Sequence, residues 1–157
     1  MILSNVFNPR VINIDLESDD KDEVFEELVE GLVSAVPGLN RSDVLSALLE
    51  REEKLSTGIG NFVAVPHGVC EGFSGVKGLI GISKKGIDFD SLDNLPVHLF
   101  FVMVSGPNDC EYHLQVIKRL AEVLKEPYFV KTILSKTNPQ DVYDTLIRFE
   151  ETVTATT

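Results

Sequence analysis

The stretch VHLFFVMV, residues 97–104, is apolar at every position except His98. A strand with one face in water alternates apolar and polar residues, whereas a strand covered on both faces is apolar nearly throughout. This run therefore predicts a strand that other elements cover on both sides. Such a strand is typical of a mixed α/β sheet.

The segments on either side of this run supply the covering elements. Shorter strands are predicted at 11–16, 62–65 and 76–83. The spacing of apolar residues predicts helices that begin near Asp20, Ser42, Glu111 and Tyr128, and a last helix that begins at Asn138-Pro139. The predicted fold class is α/β: a single domain over residues 1–157, with a mixed β-sheet flanked by helices on both faces and a tail that frays from about residue 152.

Composition limits the classes of partner and location. The chain has 157 residues, of which 43% are hydrophobic and 25% charged, as in a globular domain, and its net charge of −11 repels nucleic acid and anionic membranes. It has no apolar run of about 18 residues, and its start, MILSNVFNPR, lacks the order of a signal peptide. Two cysteines are too few for a disulfide framework. We therefore predict a cytoplasmic protein with no nucleic-acid partner and no direct membrane insertion.

The segment STGIGNFVAVPHG, residues 56–68, combines a glycine loop, a short strand and a histidine. Gly58 and Gly60 allow turns that other residues resist, and Pro66 marks the end of the strand. His67 then lies at the mouth of the loop. The segment is either an ordinary turn with a surface histidine or a site for an anion.

Residues elsewhere in the chain favour the anion site. Backbone N–H groups of the loop, at Ser56, Thr57, Gly58, Ile59, Gly60 and Asn61, form an anion-binding concavity, and Arg51 adds positive charge. A neutral imidazole is nucleophilic and can accept a phosphoryl group. His113 and Arg51 are suitable donors for its oxygens. His98, inside the apolar run, is interpreted as a structural histidine.

Three strings of the sequence resemble one known family. LLEREEKLSTGIGNFVAVPHG (48–68) closely resembles the phosphorylation-site segment of enzyme IIA domains of the bacterial phosphotransferase system, in the fructose/mannitol/nitrogen-regulatory class. The resemblance continues through IDFDSLDNLPVHLFFVMVSGP (87–107) and YHLQVIKRLAEVL (112–124), so it covers nearly the whole chain. One departure is Phe62, which stands where family members usually have glycine.

The resemblance implies a role for each residue of the site. It implies that His67 accepts a phosphoryl group from the histidine-containing phosphocarrier protein and passes it to a IIB component. It implies that His113 is the second active-site histidine, which hydrogen-bonds the phosphate, and that Arg51 is the active-site arginine. No cofactor is expected apart from the phosphoryl group on His67. If position 62 needs an unusual backbone angle, Phe62 is expected to alter the loop or the choice of partner.

Two functional classes remain open. The first is a phosphocarrier for sugar uptake, and the second is a regulatory binding protein of the nitrogen type that the same histidine switches through added charge. The absence of a fused IIB, IIC or carrier domain slightly favours regulation. The string FDSLDNLPV is close to nitrogen-regulatory members, whereas VHLFF is equally at home in fructose-type members.

A metal site is the remaining alternative. His67 and Cys70 form an HxxC pair, and Cys110 and His113 form a CxxH pair, at ligand-like spacing. If the two segments meet, they could hold a tetrahedral zinc ion. The glycine loop and Arg51 argue against it, because an arginine beside the metal repels a cation. The prediction is therefore that the site holds no metal.

Overall fold

The structure, a computed structural model, describes residues 1–155. In that part of the chain the α-helices are α1 (Ile2–Val6), α2 (Lys21–Ala35), α3 (Arg41–Lys54), α4 (Cys110–Leu124), α5 (Phe129–Leu134) and α6 (Pro139–Ala155). The strands are β1 (Ile12–Asn13), β2 (Gly58–Gly60), β3 (Val63–Ala64), β4 (His67–Val69), β5 (Val76–Ile87) and β6 (Val97–Ser105). A 3₁₀ turn at Pro9–Val11 precedes β1.

Strand β6 is the central strand that its apolar run predicts. Every residue of β6 is buried except His98, which is half-buried. Alternate side chains enter two separate cores: Leu99, Phe101 and Met103 pack with α1, α4, α5 and α6, whereas Phe100, Val102 and Val104 pack with α2 and α3. The predicted fold class, a mixed sheet with helices on both faces, is confirmed.

The order of the strands brings β4 to the end of β6. The sheet runs β1-β5-β6-β3-β2, with β5 antiparallel to β6, and β4 also pairs with β6. Strands β3 and β4 are both parallel to β6, one after the other, with Ala64 opposite Phe100 and His67 opposite Met103. Pro66 interrupts them, and its carbonyl oxygen accepts a hydrogen bond from the Met103 N–H at 3.0 Å. His67 therefore lies near the carboxyl end of β6.

Several predicted boundaries differ from the structure. The strand predicted at 76–83 continues to Ile87 as β5. The strand predicted at 11–16 is only Ile12–Asn13, because a 3₁₀ turn precedes it and the Asn13 side chain then accepts a hydrogen bond from the Asp15 N–H at 2.9 Å. The predicted fraying from residue 152 is wrong as far as Ala155: α6 continues, and Val153 is buried in the core. Residues 156 and 157 of the predicted tail lie outside the described residues. Within residues 1–155, no helix is long and apolar enough to cross a bilayer.

Another difference concerns Phe62, which lies in a turn and not in the predicted strand. Asn61 and Phe62 join β2 to β3 with φ angles of +54° and +68°, both left-handed. Two-residue hairpin turns of this kind favour Asn-Gly, which explains why glycine is the expected residue at position 62. The Phe62 ring makes an edge contact with His98, at 5.7 Å between centroids. Phe62 therefore adopts a left-handed backbone conformation that favours glycine.

Candidate functional site

His67 is the first residue of β4, and one ring nitrogen is already bonded. Its Nδ1 lies 2.8 Å from the carbonyl oxygen of Val65. A carbonyl oxygen can only accept a hydrogen bond, so Nδ1 carries the proton. The lone pair of the neutral ring is therefore on Nε2. The half-buried side chain lines a cleft and is not enclosed in the core.

His113 lies in the first turn of α4, beside His67. The two ring centroids are 5.5 Å apart and the ring planes are inclined by 66°. His113 is only 6% exposed, and the Oγ of Ser105, the last residue of β6, lies 2.7 Å from its Nδ1. Pairing of β4 with β6 brings His67 to this end of the sheet. The structure thus brings together the two histidines that are distant in the sequence.

Arg51, in the last turn of α3, lines the same cleft as both histidines. Its Nη1 donates a hydrogen bond of 2.7 Å to the carbonyl oxygen of Leu55, the residue that ends the helix. Within residues 1–155 this is the only hydrogen bond of the guanidinium, so its other four N–H groups can bind an anion. Arg51 both stabilises the helix end and supplies the cation predicted for the site.

Gly68 allows α3 to lie directly against β4. A β-carbon at this position would come within 2.9 Å of the carbonyl carbon and oxygen of Ala47, which is backbone of α3. Backbone atoms cannot move aside as the end of a flexible side chain can. Gly68 therefore controls how closely Arg51, one turn further along the same helix, approaches His67.

We expect Gly68→Ala to push α3 away from β4. Overpacking of this kind typically lowers the free energy of unfolding by about 1–3 kcal/mol. Urea denaturation monitored by circular dichroism would measure the loss, and the NMR resonance of the His67 ring should move because Arg51 is displaced. An unfolding free energy within about 0.5 kcal/mol of the parent protein would show that the contact is not tight.

Both histidines are held in the neutral form. Burial lowers the pKa of His67 below its ordinary value of 6.5, and the Arg51 charge lowers it further, although the Val65 carbonyl and Glu52 oppose these effects. Burial also lowers the pKa of His113, and the neighbouring His67 acts in the same direction. Neutral imidazole is the nucleophilic form. The lowered pKa values therefore favour the nucleophilic form of both rings at neutral pH.

The cleft around these side chains is large enough for a phosphoryl group. It has a volume of about 410 Å³ and is lined by Arg51, Lys54, His67, Cys110 and His113, among others. A second, mainly apolar groove of about 250 Å³ adjoins it, because Arg51, His67 and Ile117 line both. We call the second one the apolar groove.

The predicted anion-binding concavity, formed by the backbone N–H groups of residues 56–61, is wrong in part. The Thr57 N–H donates to the Glu52 carboxylate at 3.0 Å, and the Gly58 N–H donates to Ser56 Oγ at 3.1 Å. The Asn61 N–H donates to Asp93 Oδ2 at 2.9 Å. Three of these amides are thus occupied by acceptors within the protein, and Gly58–Gly60 forms a strand instead of an open loop. Ser56, Thr57 and Ile59 instead line the apolar groove.

Glu52, which the sequence reasoning did not select, organises this segment. Its buried carboxylate accepts hydrogen bonds from the Thr57 N–H and from Thr57 Oγ1, the latter at 2.5 Å, and it pairs with Lys21 Nζ at 3.0 Å. A signal was available: Glu52 follows Val44 and Leu48 at intervals of four residues, so helical spacing places it on the buried face of α3. Ser105 and Gly68 were also missed, because their roles depend on contacts between distant segments.

Three residues of the zinc alternative, His67, Cys110 and His113, line the same cleft, but the fourth, Cys70, does not. Cys70 is buried in the core beneath α2 and α3, whereas Cys110 is exposed, and neither forms a disulfide in the described chain. Within residues 1–155, no three His, Cys, Asp or Glu side chains are placed so as to hold a metal ion. The geometry therefore provides no zinc site. His98 has a structural role, with its Nδ1 2.8 Å from the Ser83 carbonyl oxygen.

Comparison with known proteins shows the family of the chain. The chain matches, over residues 5–148, the family described as "Phosphoenolpyruvate-dependent sugar phosphotransferase system, EIIA 2". The fructose-specific EIIABC component of Bacillus subtilis is 30% identical over 144 residues, which cover 92% of this chain and only 23% of that relative.

Solved structures share the fold. The crystal structure of the nitrogen regulatory protein IIA-Ntr from Neisseria meningitidis matches with a TM-score of 0.86 and 27% identity, covering 93% of this chain and 99% of that one. Enzyme IIAMTL from Escherichia coli, in complex with phosphorylated enzyme IIBMTL, matches in fold with a TM-score of 0.76 and 20% identity over 90% of this chain and 99% of that one. The family match spans most of the chain, so the protein belongs to the EIIA 2 family of the phosphoenolpyruvate-dependent sugar phosphotransferase system.

Proposed function

We propose that this protein is a phosphotransferase intermediate that carries a phosphoryl group on Nε2 of His67. The donor is the histidine-containing phosphocarrier protein, and the acceptor is a IIB component or a regulatory target. The observation that supports this most strongly is the hydrogen bond between His67 Nδ1 and the Val65 carbonyl oxygen, because it leaves the lone pair on Nε2. Cytoplasmic location stays a prediction.

The transfer step exchanges one phosphorus–nitrogen bond for another. The Nε2 lone pair of His67 attacks the phosphorus of the donor's phosphohistidine as the donor's P–N bond breaks and its electron pair returns to the donor's ring. His67 keeps the Nδ1 proton throughout, and the Val65 carbonyl oxygen stabilises it. In transfer to the acceptor, a nucleophilic atom of the acceptor attacks the phosphorus while the P–Nε2 bond breaks and its electron pair returns to the His67 ring, so no cofactor is required.

Arg51 and His113 are proposed to bind the phosphoryl oxygens. Ser105 Oγ–H donates to His113 Nδ1 in this scheme, which places a proton on Nε2 of His113 for donation to an oxygen. Arg51 contributes its unused N–H groups and its charge. Such pre-placed donors typically contribute a factor of about 10²–10³ each to the rate.

The direct test is labelling of the purified protein. Incubation with phosphoenolpyruvate, enzyme I and the carrier protein should give an acid-labile, base-stable adduct on His67, as expected for a phosphoramidate. A stable phosphoserine, or the absence of an adduct, would contradict the proposal. Rapid onward transfer to one sugar-specific IIB domain would assign the protein to sugar uptake.

Replacing His113 by alanine should slow both loading and onward transfer by about 10²-fold, because one oxygen donor is lost. Rapid-quench measurement of each half-reaction would test this. His113→Gln, whose amide N–H can still donate, serves as the matched variant and should recover part of the rate. Rates equal to those of the parent protein in both half-reactions would remove His113 from the mechanism.

The loading rate should rise with pH through a pKa below 6.5, because only neutral His67 attacks. In Arg51→Gln the cation that helps to lower this pKa is absent, so the midpoint should move to higher pH.

The lowered pKa of His67 also affects stability, because the unfolded chain binds more protons than the folded one just below pH 6.5. The stabilisation is thus complete above 6.5 and is lost as the pH falls through the folded pKa. NMR titration of the His67 ring in both proteins would measure the midpoint.

The surroundings of His67 suit a protein partner. Leu55, Ile59 and Leu92 line the apolar groove and Leu114 lines the cleft, and their exposed fractions lie between 49% and 66%. Exposed aliphatic groups gathered around one reactive side chain are characteristic of a protein interface. The fold shared with a IIA protein bound to phosphorylated IIBMTL supports a IIB acceptor.

Regulation by binding is the alternative role. The fold shared with IIA-Ntr supports it, and phosphorylation would add about −1.5 to −2 charges to a face that contacts partners. Pull-downs with phosphorylated and unmodified protein would detect a target that binds one form only. Failure to transfer to any IIB domain together with such a target would assign the protein to regulation.

A further inference from the structure

A groove of about 670 Å³ lies between the β2–β3 turn and the segment that joins α4 to α5. Phe62 lines it from the turn. On the other side it is lined by Leu124 of α4, by Lys125 and Tyr128 of the joining segment, and by Lys131 of α5. His67, His113 and Arg51 do not line this groove. We call it the Tyr128 groove, and it has no part in the proposed phosphoryl transfer.

The Tyr128 groove has positive charge that the fold does not use. Lys125 and Lys131 are exposed, and neither forms an ion pair within residues 1–155. Glu126 is the one acidic residue among the described residues that line the groove. The surrounding segment, residues 118–136, contains five basic and two acidic residues in a chain whose net charge is −11, although one of the five, Arg119, is paired with Glu122 and Glu150. The groove therefore carries a local excess of positive charge and is suited to bind a negatively charged group.

Aromatic side chains on strained backbone form part of the walls. Tyr128 is 76% exposed and has a φ of +71°, and Phe62 has a φ of +68°. A left-handed conformation costs an ordinary residue roughly 1–2 kcal/mol, whereas glycine adopts it freely. Strained residues of this kind concentrate at functional sites, and an exposed tyrosine is a frequent anchor in protein interfaces.

The Tyr128 groove is continuous with the surface near His67. Leu124 lines both the Tyr128 groove and the apolar groove, which His67 and Ile117 also line. The two grooves therefore follow the exposed side of α4 from His67 toward Tyr128. A partner that contacts His67 can extend a segment along α4 into the Tyr128 groove.

We propose that the Tyr128 groove binds an acidic segment of a protein partner that carries an aromatic or aliphatic anchor residue. The two lysines bind its carboxylates, while Tyr128 and Phe62 contact the anchor. A nucleic acid is disfavoured because a long polyanion would be repelled by the rest of the chain. The inference does not depend on phosphoryl transfer, since the binding residues differ from those of the transfer site.

A short peptide can test the proposal on the whole protein. The probe is fluorescein-labelled Glu-Glu-Leu-Phe-Glu-Glu, and the control peptide has lysine in place of each glutamate. Fluorescence anisotropy should show binding of the acidic peptide that weakens with added salt. Chemical shifts of ¹⁵N-labelled protein should change at residues 61–62 and 124–135.

Three variants separate the contributions. Lys125→Glu/Lys131→Glu should weaken binding of the acidic peptide by about tenfold, the combined effect of two reversed charges at an exposed site. Lys84→Glu, an exposed lysine of β5 that does not line the groove, is the matched control and should change little. Tyr128→Gly removes the ring at a backbone angle that glycine prefers, so it should weaken binding without loss of folding stability.

Several results would overturn the proposal. These are the absence of saturable binding at about 1 mM peptide, equal binding of the lysine peptide, or shifts confined to other surfaces. A dimer in sedimentation velocity that Lys125→Glu/Lys131→Glu dissociates would assign the groove to a second copy of this chain instead. His67→Ala should bind the peptide like the parent protein, so failure of phosphoryl transfer would leave this result unaffected.

Discussion

His67→Ala is expected to lose all phosphoryl loading in the presence of phosphoenolpyruvate, enzyme I and the carrier protein. Alanine has no lone pair to attack phosphorus, and His113 cannot replace it, because its ring is buried and its Nδ1 is engaged with Ser105. Autoradiography of the acid-labile adduct would measure the loss. The fold should persist, since the His67 side chain is only half-buried.

His98→Ala is the matched control for this experiment. His98 is also half-buried, and its Nδ1 also lies 2.8 Å from a backbone carbonyl oxygen, that of Ser83, but it does not line the cleft. We expect this variant to be loaded at the parental rate. Labelling that survives in His67→Ala, or that disappears in His98→Ala while the protein stays folded, would show that His67 is not the acceptor.

Glu52→Ala is expected to cause the largest loss of stability near the site. Without the carboxylate, the buried N–H and hydroxyl of Thr57 have no acceptor, and Lys21 loses its partner at 3.0 Å. Removal of one member of a buried, hydrogen-bonded pair typically costs about 3–5 kcal/mol. Domains of this size have a total stability of roughly 5–15 kcal/mol. Urea denaturation would measure the change.

The neighbouring residue provides the control. Glu53 is exposed, and Glu53→Ala should change the free energy of unfolding by no more than about 0.5 kcal/mol. Glu52→Gln keeps the hydrogen-bond acceptor and loses the charge, so its loss should be intermediate. If Glu52→Ala were as stable as Glu53→Ala, the hydrogen bonds from Thr57 to the buried carboxylate would not contribute to stability.

The site depends on α3 for both charge and position. Arg51 supplies the positive charge of the cleft. Glu52, the next residue, accepts a hydrogen bond from the Thr57 N–H and so holds that segment in place. Gly68 allows the helix to approach β4 closely. A variant at any of these positions should therefore be assayed for folding and for transfer separately, because one change can affect both.

Much of the fold follows from local patterns. The apolar run in β6 predicts burial on both faces, and the structure places a core on each side of it. Asp20 and the helical spacing that follows predict α2, and the Asp20 side chain does accept a hydrogen bond from the Glu23 N–H. Helix α1 was not predicted, because five residues are too few to show periodicity; its buried residues Leu3 and Val6 are recognised only in the packed core.

The sequence by itself determined which reactive groups are present and predicted the type of chemistry: through residue types and family resemblance, the string from Arg51 to His67 and the later His113 predict a phosphoryl-accepting histidine with two donors. The tertiary structure decided what depends on contacts between distant segments. It placed His67 beside His113 through the pairing of β4 with β6, and it gave Val65 and Ser105 control of the ring nitrogens. It also paired the N–H groups of Thr57, Gly58 and Asn61 with acceptors inside the protein. Local sequence can show which groups are present, but only packing decides which of them remain free to bind.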